Sequence, residues 1–359
     1  MLYSSYIELN FNSLKSNVKY LKSRLDSSVK FCSVIKGNAY GHGSTYIVPM
    51  AESCGVDYFA VYDAFEADKA LQVKKPQTEL MIMGMIDNSE LEWAIENEIS
   101  FYVFEMDRLE QAIKSAEKVG KKAKIHLELE TGMNRTGFTA NEDLEAAAGL
   151  IKKNYDKIFL QGICTHFAGA ESIQNYIRVH DQFKIFNNLV SKLKRKQLQA
   201  QFLHTASSAA TLLYPKTHLN LVRVGIAQYG FWPTMETKIK NLLDENNNFA
   251  KDPLRQILSW KSSVMSIKTI MPGKFINYGT SYLTKRKTRI ATIPVGYYHG
   301  YSRSLSNSGY VLIHGKKAPV VGMINMNMML ADISYIRNVQ KGDEVVLIGR
   351  TGFMQKLSL

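Results

Sequence analysis

The feature that most constrains this chain is a repeated alternation across its first 230 residues or so. Short β-branched or apolar runs occur at Val29–Ile35, Asp57–Val61, Leu80–Met83, Ile99–Val103, Lys122–Leu129, Ile158–Cys164, Gln201–His204 and Asn220–Val224. Between them lie stretches with helical periodicity: Ser44–Glu52, Ala64–Gln72, Asn88–Asn97, Asp107–Val119, Asn141–Asn154 and Gln174–Leu193. Eight strands alternating with helices predict an α/β fold, a (β/α)8 TIM-like barrel over residues 11–240. Between the seventh and eighth strands only a short helix, Ser207–Leu213, is available. An open doubly wound sheet is the rival, but no GxGxxG follows the first strand.

The pattern changes after residue 240. Asp244–Pro253 is polar and turn-rich and reads as a surface loop or linker. Strand-like runs follow at Val264–Ile270, Phe275–Tyr278, Arg289–Pro294, Gly309–Ile313, Ala318–Met323, Met329–Ile333 and Glu344–Ile348, with no long helix between them. They predict a mostly β domain over residues 250–359, to which residues 1–10 can add a strand at Ser4–Asn10.

Composition excludes several classes of function. With 45% hydrophobic and 21% charged residues the chain is ordinary globular material. Its net charge of +13 is spread over small clusters such as Lys285–Arg286–Lys287, with no nucleic-acid-reading motif beside them. A dispersed positive charge attracts small anions instead, phosphorylated cofactors among them. No apolar run approaches a membrane span, and the first residues lack the basic and apolar regions of a secretory leader. Cys32, Cys54 and Cys164 are too few and too scattered for a disulfide framework or a zinc site, which points to a reducing cytoplasm.

In a barrel, chemistry gathers at the C-terminal ends of the strands. Those ends carry Lys36, Tyr62, Arg135, His166, His204, Ser207 and Ser208, with Arg223 inside the eighth strand. Lys36 follows FCSVI and precedes GNAYGHG. A lysine at a barrel mouth, desolvated and near other cations, loses basicity and becomes a nucleophile; it also fits a strand end reaching solvent. Gly37, Gly41 and Gly43 suit a backbone packed close beside a ligand. Ser208 opens a helix after the seventh strand, and Gly225 and Ile226 in RVGIAQYG can offer N–H groups, which together suit a phosphate. Ordinary capping and barrel closure would also account for them. A lysine nucleophile and a phosphate seat point to pyridoxal phosphate.

In order along the chain, VIKGNAYGHG, LETGMNRTGF, THFAGAE, HTASSAATL, RVGIAQYG, INYGTSY, IPVGYYHGYSR and GMINMNMMLADI resemble the alanine racemases, over roughly residues 3–350. The resemblance implies a fold-type III isomerase that interconverts L- and D-alanine with pyridoxal 5'-phosphate, supplying D-alanine for cell-wall peptidoglycan. It implies that Lys36 holds the cofactor and serves as one acid–base group. Tyr278 would be the other, delivered by the second subunit of a homodimer with shared active sites. Two bases on opposite faces of Cα are what racemisation requires, since one base returns the proton to the face it left. Arg223 would meet the pyridine nitrogen, with His166 orienting it. Tyr40, Ser208, Gly225 and Ile226 would hold the phosphate. Arg135 and the Met326 backbone N–H would meet the substrate carboxylate, and Tyr297 would line the entrance.

The chain departs from the family pattern in places. Glu128 stands where many relatives carry a carbamylated lysine, and is expected to position Arg135 through its own charge. Ser207 replaces an asparagine; Tyr298, His299 and Asn327 replace Ala, Asp and Asp, altering charge at the entrance. The sequence ends at GDEVVLIGRTGFMQKLSL, several tens of residues earlier than the family pattern, without its TINYE-like segment. Rival readings are a racemase acting on serine or lysine, and a cofactor-binding remnant that does not turn over.

Overall fold

The computed structural model describes residues 3–140, 142–243, 250–350 and 356–357. Two compact units divide the chain, Phe11–Arg255 and the combination of Met1–Asn10 with Gln256–Leu359.

In the larger unit, eight parallel strands form one sheet: β2 (Lys30–Val34), β3 (Tyr58–Val61), β4 (Glu79–Ile82), β5 (Ser100–Val103), β6 (Ala123–Glu128), β7 (Ile158–Cys164), β8 (Phe202–His204) and β9 (Leu221–Val224). Their order is β8-β7-β6-β5-β4-β3-β2-β9, the wrapping of a nearly closed barrel. The continuous apolar runs exist because such strands are covered on both faces. Cys32, Val34, Tyr58, Met81, Tyr102 and Cys164 fill part of the interior. Helices cover the outside; Met106–Val119, for example, turns Leu109, Ala112, Ile113 and Ala116 inward and ends at Gly120, φ 73°.

Strands β8 and β9 are not joined by a regular ladder. The side chain of Asn220 bridges them, its Oδ1 accepting from Leu203 N at 2.6 Å and its Nδ2 donating to Gln201 O at 2.8 Å. Above it, Arg223 N donates to Ala206 O at 2.9 Å. The helix Met235–Leu242, absent from the sequence reading, is capped by Thr234, whose Oγ1 accepts from Thr237 N.

The smaller unit contains β1 (Ser5–Leu9), β10 (Leu258–Ser263), β11 (Ser266–Ile270), β12 (Thr288–Ile293), β13 (Tyr310–Ile313), β14 (Lys316–Pro319), β15 (Met329–Asp332), β16 (Glu344–Arg350) and β17 (Lys356–Leu357). One sheet runs β1-β10-β16-β13-β14, with β17 pairing β16; another runs β11-β12-β15. Ala291, Ile293, Val311, Ile313, Val345 and Leu347 alternate inward to form the core.

Two expectations for this unit need correction, and one strand was not expected at all. Phe275–Tyr278 is a loop with an isolated Phe275–Leu283 bridge and no regular ladder, because Asn277 (φ 67°) and Gly279 (φ 68°) turn the backbone out of extended geometry. The Ala318–Met323 run leaves its strand at Pro319; beyond it Val320 makes an isolated bridge to Ala331, and its N–H donates to Gly309 O at 2.8 Å. Strand β10, LSWKSS, was hidden by its polarity. Its Lys261 is tolerated because Glu8 and Glu344 reach its Nζ at 2.8 and 3.0 Å. Residues 244–249 of the expected Asp244–Pro253 loop lie outside the described residues, as do 351–355 and 358–359 near the chain end.

Candidate active site

The barrel unit holds a cavity of about 650 Å³. Lys36, Tyr40, Arg135, His166, Ser208, Arg223, Gly225 and Ile226 all line it, so eight residues chosen from sequence converge. Tyr62, Glu128 and Ser207 line it as well.

Lys36 directly follows β2 and opens a turn that winds the wrong way. Gly37, Asn38, Ala39 and Tyr40 all have positive φ, between 51° and 64°. Left-handed geometry costs L-residues roughly 1–2 kcal/mol each, so this turn must be held from outside. Glu66 supplies the clamp: its carboxylate accepts from Asn38 N at 3.0 Å and from Tyr62 N at 2.9 Å. Asn38 Oδ1 accepts from Ser44 N, and His42 Nδ1 donates to the Ala39 and Tyr40 carbonyls. Close packing is not why glycines occur here. A Cβ on Gly37 or Gly41 would meet nothing within 4 Å; the positive φ is the constraint. Partial burial lowers the Lys36 pKa, Arg135 lowers it further, Glu66 opposes, and Arg223 lowers it again.

Arg223, 5% exposed, is held by acceptors on several sides. Its Nη1 donates to His204 Nδ1 at 2.5 Å and to His204 O at 3.1 Å. Its Nη2 donates to Thr165 O at 2.8 Å and Thr205 O at 3.2 Å, with His166 Nδ1 at 3.4 Å. His204, a strand-end residue given no role from sequence, thus makes a shorter contact than His166. Burial, then Arg223, Arg135 and Lys36, push the His166 pKa down to about 3, so the ring is neutral at ordinary pH.

Ser208 heads the helix Ser208–Leu213, and its Oγ accepts from Gly225 N at 2.9 Å and Ala227 N at 3.4 Å. Its own proton remains available to an anion. Ile226 begins a single 3-10 turn, Ile226–Tyr229, whose first N–H lacks an intrahelical acceptor. Gly225 leaves room for Tyr40: a Cβ there would lie 2.2 Å from the Tyr40 hydroxyl, which would have to move.

The loop bearing Arg135 is organised by an acid the sequence reading missed. Glu130 accepts from Gly132 N, from Asn134 N at 2.8 Å and from Arg135 N at 3.3 Å. Partial burial raises its pKa, but the backbone donors lower it more, leaving it below its ordinary value. Glu128, expected to act on Arg135 through its charge, accepts from Thr136 Oγ1 at 2.9 Å and interacts with Arg135 through charge, without a close ion pair among the described residues. Burial raises the Glu128 pKa, against Thr136, Arg135 and Arg223.

Tyr278, Tyr297 and Met326 belong to the smaller unit, where hydrogen bonds draw their loops together. Asn277 Oδ1 accepts from Tyr278 N at 2.9 Å and from Asn325 Nδ2 at 3.1 Å. Asn325 O accepts from Tyr297 N at 3.1 Å, and Met326 O from Tyr298 N at 3.0 Å. The two segments are so close that a Cβ on Gly296 would lie 2.0 Å from Asn325 O. Tyr278 is 73% exposed. His299, one of the departures, fastens this loop through Nε2 to Ser4 Oγ at 3.1 Å. Neither Asn277 nor Asn325 was singled out, although asparagine in a loop is a recognised signal of local turn bonding.

The donor set in the barrel cavity fits pyridoxal phosphate. It offers a primary amine at the mouth, hydroxyl and N–H donors for a phosphate, and a buried guanidinium whose Nε has no partner among the described residues. Among the described residues no cluster could hold a metal ion, and no helix is long and apolar enough to cross a membrane.

Family models described as the N-terminal and C-terminal domains of alanine racemase match residues 9–233 and 257–359. Alanine racemase 2 of Oceanobacillus iheyensis is 35% identical over 348 residues, 96% of this chain and 84% of that protein. The crystal structure of the Bacillus anthracis alanine racemase with bound L-Ala-P is 29% identical with a TM-score of 0.88, covering 100% of this chain and 88% of that one. The Bartonella henselae alanine racemase with covalently bound pyridoxal phosphate is 25% identical with a TM-score of 0.82, covering 97% and 91%.

Proposed function

The chain belongs to the alanine racemase family, and from that membership we propose how its own residues interconvert L- and D-alanine with pyridoxal phosphate. The observation that carries the reading is the convergence of Lys36, Arg223 and the Ser208–Gly225–Ile226 donors on one cavity. Bound pyridoxal phosphate supplies an electron sink that makes the Cα proton of alanine removable. Lys36 Nζ holds the cofactor and moves the Cα proton on one face; its lowered pKa favours the neutral amine that this needs. Tyr278 Oη of a second copy moves the proton on the other face. Its exposure on an outward loop supports delivery to another chain.

Arg223 faces the ring nitrogen as a permanent donor. A guanidinium does not give up its proton, so it holds that nitrogen without protonating it, which limits competing chemistry. His166, neutral beside it, accepts rather than repels. Tyr40, Ser208, Gly225 and Ile226 seat the phosphate. Arg135 and the Met326 N–H receive the substrate carboxylate, and Tyr297 borders the entrance. We place residues 11–240 as the cofactor-binding domain and residues 1–10 with 250–359 as the β-rich domain. A homodimer with shared sites follows if Tyr278 reaches the site from a second copy of the chain. The free thiols Cys32, Cys54 and Cys164 support a cytoplasmic setting, where D-alanine would feed peptidoglycan synthesis.

One experiment tests both bases and the dimer. Purified protein with pyridoxal phosphate and L-alanine yields D-alanine, whereas Lys36→Ala and Tyr278→Phe each lose most of it. Mixing the two variants under subunit exchange regenerates one intact site per heterodimer, restoring about a quarter of wild-type activity. Failure to restore any activity in proven heterodimers would exclude a shared site. D-alanine formation by Lys36→Ala would remove that lysine from the reaction.

A further inference from the structure

Beneath Arg223 the barrel interior carries a row of polar groups that the reaction as described does not use. His204 Nε2 lies 2.8 Å from His126 Nδ1. His126 Nε2 lies 3.1 Å from the Tyr58 hydroxyl, which lies 3.3 Å from Ser100 Oγ. Ser100 Oγ is 3.2 Å from Leu80 O. His126, His204 and Tyr58 are fully buried and Ser100 is 2% exposed.

The direction of every bond in this row follows from its first member. Arginine has only donors, so Nδ1 of His204 must present a lone pair to Nη1. Burial holds both histidines neutral, so each carries one ring proton. The His204 proton is therefore on Nε2, and it makes His126 Nδ1 an acceptor. The His126 proton then sits on its own Nε2 and goes to Tyr58, whose proton goes to Ser100, and the Ser100 proton to the Leu80 carbonyl. Reversing His204 would set N–H against N–H at 2.5 Å.

We propose that His126, Tyr58 and Ser100 are positioning residues for Arg223, linked in a one-way chain of hydrogen bonds that ends at the Leu80 carbonyl and fixes both histidines with the proton on Nε2. The chain occupies the Nη1 edge of the guanidinium while Thr165 and Thr205 occupy Nη2, so the orientation of the remaining Nε–H is set. The space is cut for these rings: a Cβ on Gly162 would lie 2.0 Å from His126 Nδ1. A competing acceptor exists in Gln161, whose side chain also reaches His126 and whose Oε1 is buried without a well-formed hydrogen bond. Donation of the His126 proton to Gln161 is the arrangement the chain must exclude. In a low-dielectric interior a fully satisfied row of this kind is rigid, and one broken link is felt along it.

The test has two arms, and only the kinetic arm rests on the proposed contact between Arg223 and the cofactor ring. Solid-state 15N NMR of the histidine-labelled full chain with pyridoxal phosphate is assigned by difference against His126→Gln. The expected spectrum has protonated Nε2 and bare Nδ1 at both His126 and His204 from pH 8 to pH 6. A proton on Nδ1 of either ring overturns the chain. The second arm is Tyr58→Phe in the full-length enzyme. The expected result is a kcat lower by about five- to tenfold, a KM for alanine within about twofold, and shifted His204 signals. Wild-type kcat overturns the positioning role. So does a reduced kcat with His204 signals unmoved, because the effect would not pass through Arg223. If Tyr58→Phe does not fold, the wild-type spectrum decides the bond directions and Ser100→Ala serves for the kinetic arm, with a smaller loss in the same direction.

Discussion

At Gly225 the absence of a side chain is the functional property. The Tyr40 hydroxyl occupies the space where a Cβ would stand. Gly225→Ala should displace Tyr40 and weaken pyridoxal phosphate binding about tenfold or more, by the usual size of an overpacking penalty. Fluorescence titration of the cofactor checks this, with circular dichroism showing the fold retained; wild-type affinity would mean that the Tyr40–Gly225 contact does not shape the seat. The cavity-lining residues Lys36, Arg135 and Arg223 were legible because charged side chains at strand ends stand out against apolar runs. The acids that hold them were not. Glu66 and Glu130 act on backbone N–H groups across a turn, and nothing local distinguishes such a carboxylate from a solvated one. Glu128, which does stand out by its place in the motif, bonds Thr136 and meets Arg135 through charge alone.

Most elements followed from periodicity, and the boundaries agree where turn residues punctuate them. Ile158–Cys164 and Ser44–Glu52 were read with their observed limits. The exceptions have physical causes. The left-handed turn after Lys36 has no hydrophobic period and exists because Glu66, Asn38 and His42 satisfy its backbone. The β8–β9 seam depends on an asparagine imitating a strand. Asn220→Ala removes both side-chain bonds there and is expected to cost about 2 kcal/mol, from two hydrogen bonds of ordinary strength. Urea unfolding measures it, and an unchanged midpoint would show that the remaining backbone contacts close the barrel unaided.

For the whole molecule, the buried histidines make folding sensitive to acid. The His126 pKa is pushed down to about 3 by burial, partly opposed by Gln161 and aided by Arg223; burial, with Arg223 and His126, also pushes that of His204 well down. In the unfolded chain both titrate near 6.5. Between those values the unfolded state binds more protons, so stability rises with pH across the window and is lost as pH falls below about 6.5. At pH 5 His126 accounts for a loss of roughly 2 kcal/mol relative to pH 7, and His204 acts in the same direction. Glu128, whose pKa burial raises, works in the opposite sense but is a single group. Thermal unfolding should therefore show a melting temperature falling steadily from pH 7 to pH 5, and more shallowly in His126→Gln. A flat profile would mean that these rings are already charged or solvated in the folded protein.

The sequence by itself determined the two kinds of architecture, the cluster at the barrel mouth and the family resemblance, because alternation, turn residues and motif order are properties of neighbours along a chain. Only the tertiary structure decided which groups satisfy which. It showed that Arg223 leans on His204 and a row of buried rings, that Glu130 holds the backbone of the Arg135 loop, and that Asn277 and Asn325 gather the loops of Tyr278, Tyr297 and Met326. Hydrogen-bond partners separated by tens of residues leave no periodic trace. Their pairing is fixed by burial, which makes an unsatisfied donor too costly to keep.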